Sequence, residues 1–92
     1  SRSVIRDGDR ILKEILNLVS EGYTVSFRPD IEDAYQIRLQ KDGFSSARAI
    51  TNDAIRCTTA MDAEEYVLHT LYYLRSDLER WCNRLKEERE NG

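Results

Sequence analysis

From Asp62 to Asn91 the chain carries no glycine and no proline, and within that run Val67, Leu71, Leu74, Leu78, Trp81 and Leu85 are spaced four, three, four, three, four. Such spacing lays one apolar stripe along a single long helix and is also the spacing of a heptad seam. Asp62 followed by Glu65 reads as a capping box, and Met61 with Tyr66 as a hydrophobic staple, so the helix is expected over about 63–90. At 1.5 Å per residue it would be roughly 42 Å long, whereas a 92-residue globule is only about 30 Å across. The helix is therefore expected to overhang its own domain.

Its two halves differ. Tyr66, Leu68, Tyr72 and Tyr73 surround the stripe in the first half, which predicts broad burial against a sheet. Beyond Arg75 the flanks are charged, with Arg75/Glu79, Arg84/Glu88 and Lys86/Glu90 at i,i+4, leaving a narrow apolar line on a solvated helix. The reading that follows is a homodimer interface at Leu74, Leu78, Trp81, Cys82 and Leu85. The competing reading is that a first helix lies antiparallel alongside and covers the whole stripe.

Upstream, Ile11, Leu12, Ile15, Leu16, Leu18 and Val19 recur at helical spacing opposite Lys13, Glu14 and Asn17, predicting a helix over about 9–21 that exits at Gly22. Its start is open between caps at Asp7 and Asp9, with an earlier turn carrying Val4 and Ile5. Tyr23, Val25 and Phe27 alternate with Thr24, Ser26 and Arg28 up to Pro29, and Tyr35, Ile37 and Leu39 alternate with Gln36, Arg38 and Gln40. These are strands over about 23–28 and 34–41 with the first-named residues facing the core. Asp42-Gly43 is a tight hairpin signal leading to a third strand over about 44–50, whose register is open between a two-residue and a bulged connection. Residues 55–59 are either a fourth, edge strand or a lead into the last helix.

The expected architecture is thus one α+β domain over 1–92, ordered α-β-β-β(β)-α. It has two layers: an antiparallel three- to four-stranded meander, and the N-terminal helix and long C-terminal helix packed together on one face. At this length there is material for one core.

Composition narrows the function classes. Fourteen basic residues against 17 acidic give a net charge of −3, with the signs interspersed, so no global positive field draws the chain to phosphate backbones. Two cysteines, Cys57 and Cys82, match no zinc or redox spacing. His69, the one histidine, stands one turn from Glu65 without an HExxH pattern or a third ligand, and Asp30, Glu32 and Asp33 lack the spacing of a calcium loop. No glycine-rich phosphate loop or nucleophile elbow is present. The reading is a non-enzymatic protein with no cofactor, no catalytic residues and no metal. With no apolar run near 18 residues and no secretory leader, it is expected in the cytoplasm and off the membrane.

What remains is binding. The outward sheet face mixes Arg28 and Arg38 with Thr, Ser and Gln, suiting protein contacts because guanidinium pairs planar with carboxylates. With the acidic loop residues Asp30 and Glu32 and the tyrosines Tyr72 and Tyr73, these form the expected partner-binding set.

The helix exit into Tyr23-Thr24-Val25, the hairpin at Asp42-Gly43 and the closing helix resemble, over about residues 9–75, small phage-encoded αβββα proteins, among them Cas9-inhibiting anti-CRISPR proteins. That resemblance implies a phage or mobile-element accessory protein in the host cytosol, binding stoichiometrically to a host protein such as a defence nuclease. The same element order occurs in double-stranded-RNA-binding domains. Those read phosphates with a lysine-rich start to the last helix, where this chain has Asp62, Glu64 and Glu65, and direct nucleic-acid binding is disfavoured. A homodimeric assembly module is the alternative role.

Overall fold

The computed structural model describes residues 9–31, 33–51 and 60–91, the last from its backbone alone at 60–62. Five elements follow in order: α1 (Asp9–Ser20), β1 (Thr24–Asp30), β2 (Ala34–Lys41), β3 (Phe44–Thr51) and α2 (Ala60–Asn91). The strands form an antiparallel meander in the order β1-β2-β3, and both helices cover one face, giving the α+β two-layer layout. The suggested fourth strand at 55–59, the earlier turn with Val4 and Ile5, and Cys57 lie outside the described residues.

Helix α1 ends in a Schellman motif. Gly22 adopts φ +96°, the Tyr23 N–H donates to the Leu18 carbonyl at 3.0 Å, and the Gly22 N–H donates to that of Val19 at 3.0 Å. Leu18 and Tyr23, the two positions this motif brings together, are both buried, so the turn also nucleates the core.

Strand β1 runs through Pro29 to Asp30, further than expected. It is an edge strand, and a residue without an N–H is tolerated there because one side of the strand needs no ladder partner. The β1–β2 connection places Asp33 at φ +63°, with Asp30 paired to Ala34. Between β2 and β3 the turn is the two-residue form: Asp42 and Gly43 have φ of +54° and +86°, and Lys41 pairs with Phe44. Two successive positive φ values are what a type I′ turn needs, and its twist matches that of the strands it joins.

The register sets the faces. Val25–Leu39–Ser46 and Phe27–Ile37–Arg48 are cross-strand rows on the side carrying the helices. Ile37, Leu39 and Ile50 meet Leu18, Tyr23, Leu71, Leu74 and Leu78 in a closed core, with Ile15, Val25, Phe44 and Val67 packed against it. Phe27 and Tyr35, expected inside, have the expected face but are exposed. Phe27 sits on the edge strand, with a neighbour on one side only, and Tyr35 sits at the end of β2 beside the loop.

Helix α2 begins at Ala60, so Asp62 is inside the helix and not its cap. Glu65 accepts from Arg10 of α1 at 2.7 Å. The two helices run parallel: Arg10 near the start of α1 meets Glu64 and Glu65 near the start of α2, and Glu21 just past the end of α1 meets Arg75 at 2.6 Å. This corrects the antiparallel alternative. Because α1 stops level with Arg75, it does not shield the rest of the stripe.

With 32 residues α2 is about 48 Å long. The molecule measures 55 × 36 × 17 Å, and its radius of gyration of 15.5 Å exceeds the roughly 12 Å of a compact chain of this length. The overhang is real, but it starts later than the stripe suggests. Leu74 and Leu78 are fully buried against the sheet, so neither has surface left for a second subunit. Trp81 is 43% exposed, and Cys82 and Leu85 are half-buried where the helix passes the β2–β3 turn.

Candidate protein-binding surfaces

Thr24, Ser26, Arg28 and Asp30 of β1 pair across the sheet with Gln40, Arg38, Gln36 and Ala34, and β3 continues the rows with Ser45, Ala47, Ala49 and Thr51. By the alternation of strands these residues share the face turned away from both helices. Arg38 is half-buried on it. Its Nη1 donates to Ser45 Oγ of β3 at 3.1 Å and its Nη2 to Gln36 Oε1 of its own strand at 3.2 Å, so the guanidinium is held in a fixed orientation between β2 and β3. Arg28 pairs with Gln36 while Arg38 pairs with Ser26, which makes the arginines diagonal neighbours. The Asp30 carboxylate accepts from the Ile31 N–H at 2.8 Å and closes the loop there. The expected set therefore divides: Arg28, Arg38 and Asp30 share one face, and Glu32 is outside the described residues.

Tyr72 and Tyr73 are on the opposite side of the molecule, on the outer surface of α2. Their rings meet edge-on at 5.8 Å, His69 lies 6.5 Å from Tyr73, and Arg48 of β3 reaches up to within 5.2 Å of the Tyr73 ring. A shallow depression of about 360 Å³ is lined by Glu65, Leu68, His69, Tyr72 and Tyr73. His69 Nε2 is 3.9 Å from Glu65, and among the described residues no group of three or more His, Cys, Asp or Glu side chains is gathered for a metal.

A third surface went unread in the sequence. The apolar positions of α1 form one wide band, but the fold uses only part of it. Leu18 is buried and Ile11 and Ile15 half-buried, while Leu12, Leu16 and Val19 remain 56%, 59% and 53% exposed. Their spacing of four and three makes a second stripe. Arg10 and Glu21 fix the side of α1 that meets α2, and on a helical wheel the stripe falls on the far side, above the β1 edge. Asp9, Arg10, Leu12, Lys13 and Leu16 line an open groove of about 390 Å³ along the first two turns of α1. The signal available in the sequence was the width of the band, which exceeds what one helix can bury on a sheet.

Just before the start of β1, Tyr23 lies between two cations, with Lys41 Nζ 4.6 Å and Arg75 Cζ 6.0 Å from its ring centroid. Burial, and after it the charge of Glu79, raises the phenol above its ordinary pKa. Arg75 is held protonated more firmly than usual, first by its hydrogen bond to Glu79 and also by Glu21. Both serve the core and its clasp. Tyr23, Lys41 and Cys82 border a cavity of about 160 Å³ at the β2–β3 turn, with Cys82 a free thiol.

No protein-family model matches the chain, and no curated protein or solved structure matches it either. Among the described residues no helix is long and apolar enough to cross a membrane.

Proposed function

We propose that this chain is a non-catalytic protein-binding domain that acts by stoichiometric occupation of another protein, the mode of small phage-encoded inhibitors of host defence nucleases. The observation that carries this reading is the α1 stripe: Leu12, Leu16 and Val19 stand in solvent at helical spacing while the core beside them is closed. Three aliphatic side chains in register on one element form a patch of the sort that marks protein contacts, since each gains about 25 cal/mol per Å² of apolar surface removed from water. Single exposed leucines need no partner, but a stripe along a whole helix invites one.

The element order shared with the phage-encoded αβββα proteins supports the inhibitor form of the proposal, and the cytoplasm of the host is where such a protein would act. The test is size fractionation of an extract from the cells that naturally make the protein. The wild-type protein is expected in a fraction of fixed mass larger than its own, and Leu12→Asp with Leu16→Asp is expected to return it to the mass of the free protein with its circular dichroism unchanged. A wild-type protein that runs alone at its own mass in that extract contradicts the reading.

A second reading, self-association through the end of α2, is favoured by Trp81, a large side chain left 43% exposed beyond the sheet. Its surface is smaller than the sequence suggests, because Leu74 and Leu78 belong to the core.

A further inference from the structure

Both helices lie on one side of the sheet, so three strands present a whole face to the outside. That face is chemically selective. Arg28 and Arg38 stand on it, and among the described residues neither forms an ion pair, whereas Arg10, Arg75 and Arg80 on the helices each hold a carboxylate and only Arg84 and Arg89, toward the end of α2, share that lack on a helix. Among the described residues the one acidic side chain on the face, Asp30, is at its end and engaged with the Ile31 N–H. A chain of net charge −3 thus carries on this face two neighbouring cations with no carboxylate partner among the described residues.

We infer that this open sheet face is the docking surface for an acidic segment of the partner protein, read by Arg28 and Arg38 together. Three features support it. First, Arg38 is held by Ser45 and Gln36, so much of the side-chain ordering that binding demands is already complete, and the guanidinium still has donors for a carboxylate. Second, Ala47 and Ala49 flank the arginines on β3, leaving room for a chain to approach the sheet closely. Third, the diagonal relation of the arginines sets a spacing of about 7–8 Å between their Cα atoms. Carboxylates at i,i+2 of an extended segment, rising about 3.3 Å per residue, come close to that spacing.

A nucleic acid could offer the same negative charge, but among the described residues the face has no aromatic side chain on which bases would stack, and two arginines make a small electrostatic footprint for a phosphate backbone. The proposal rests on the protein-binding reading and adds the partner's chemistry.

The probe is a ten-residue peptide alternating Glu and Thr, titrated into the 15N-labelled full chain at low salt. The controls are the Gln-Thr counterpart and a ten-nucleotide oligothymidine. Expected are shifts of the Arg28 and Arg38 Nε–H signals and of amides in β1 and β2 with the acidic peptide alone, and affinity roughly tenfold or more weaker in Arg28→Glu. Arg38→Gln, which keeps a polar side chain beside Ser45 and Gln36, is expected to weaken binding without loss of fold. Equal binding of the Gln-Thr peptide, preference for the oligonucleotide, or shifts confined to the helices would overturn the inference. If the large complex in cell extract survives Arg28→Glu but is lost in the Leu12/Leu16 variant, protein binding stands and the acidic-segment proposal falls. If no large complex forms with the wild-type chain, the underlying reading falls.

Discussion

Arg75 Nη2 lies 2.6 Å from Glu21 Oε1, and through that pair the exit of the first helix is clasped to the middle of the last. The same guanidinium donates from Nε to Glu79 at 2.8 Å and stands 6.0 Å from the Tyr23 ring. One side chain thus joins α1, α2 and the start of β1. It also marks where α1 stops covering α2 and where the exposed flank of the longer helix begins.

Removing this clasp has a modest cost. The carboxylate partners are about half exposed, where ion pairs are worth less than about 1 kcal/mol each. Arg75→Ala is expected to lower the melting temperature by roughly 4–8 °C, as a loss near 1 kcal/mol does in a domain of this size. A double-mutant cycle with Glu21→Ala measured by thermal unfolding checks it, with coupling expected to shrink as salt is added.

Positions of the apolar stripe on α2 are expected to separate sharply. Leu74→Ala and Leu78→Ala remove buried side chains and should each cost about 2–5 kcal/mol in urea unfolding. Trp81→Asp, on a side chain already 43% exposed, should leave the fold intact and change stability far less. Equal losses at Leu78 and Trp81 would contradict the placement of the end of the core between them.

At Gly22 a Cβ would meet only Lys41 Cε at 3.7 Å, and at Gly43 it would meet nothing, so the cost of alanine there is conformational. Each change forces a side chain into left-handed backbone and should destabilise by roughly 1–2 kcal/mol. Asp42→Gly, at a second positive φ, should be neutral or slightly stabilising in the same assay.

The raised pKa of Tyr23 has a defined consequence for alkaline stability. A phenol that holds its proton more tightly when folded contributes stability that is complete below the unfolded value of about 10 and is lost as pH rises through the folded value. Wild-type stability should therefore fall above about pH 10, and Tyr23→Phe should flatten that part of the curve. Chemical denaturation at successive pH values with both proteins shows whether the slope depends on Tyr23.

Local signals were legible in the sequence and tertiary ones were not. The Gly22 exit, the Asp42-Gly43 turn and the inward alternation of Val25, Ile37 and Leu39 are decided by a few neighbouring residues, and each stands where expected. The stripe of α2 was ambiguous because threes and fours serve a helix on a sheet as well as a helix on its twin. The sheet takes Leu71, Leu74 and Leu78 and leaves Trp81 outside. Glu65 looked like half of a capping box because nothing local reveals that Arg10, 55 positions away, will hold it. The parallel course of the helices depends on the same distant pairs. Of the candidate site, alternation along β1 and β2 put Arg28 and Arg38 on one face. The exposed half of α1 was hidden because Leu12 and Leu16 look no different in sequence from Ile15 and Leu18.

The most direct measurement is hydrogen–deuterium exchange on the chain alone and in the complex isolated from extract. A partner meeting the α1 stripe and the arginine face must pass the β1 edge that lies between them. Slower exchange is predicted in peptides covering Asp9–Ser20 and Thr24–Asp30, with residues 79–91 unchanged. Protection confined to 79–91, with α1 and β1 exchanging as in the free chain, would contradict it.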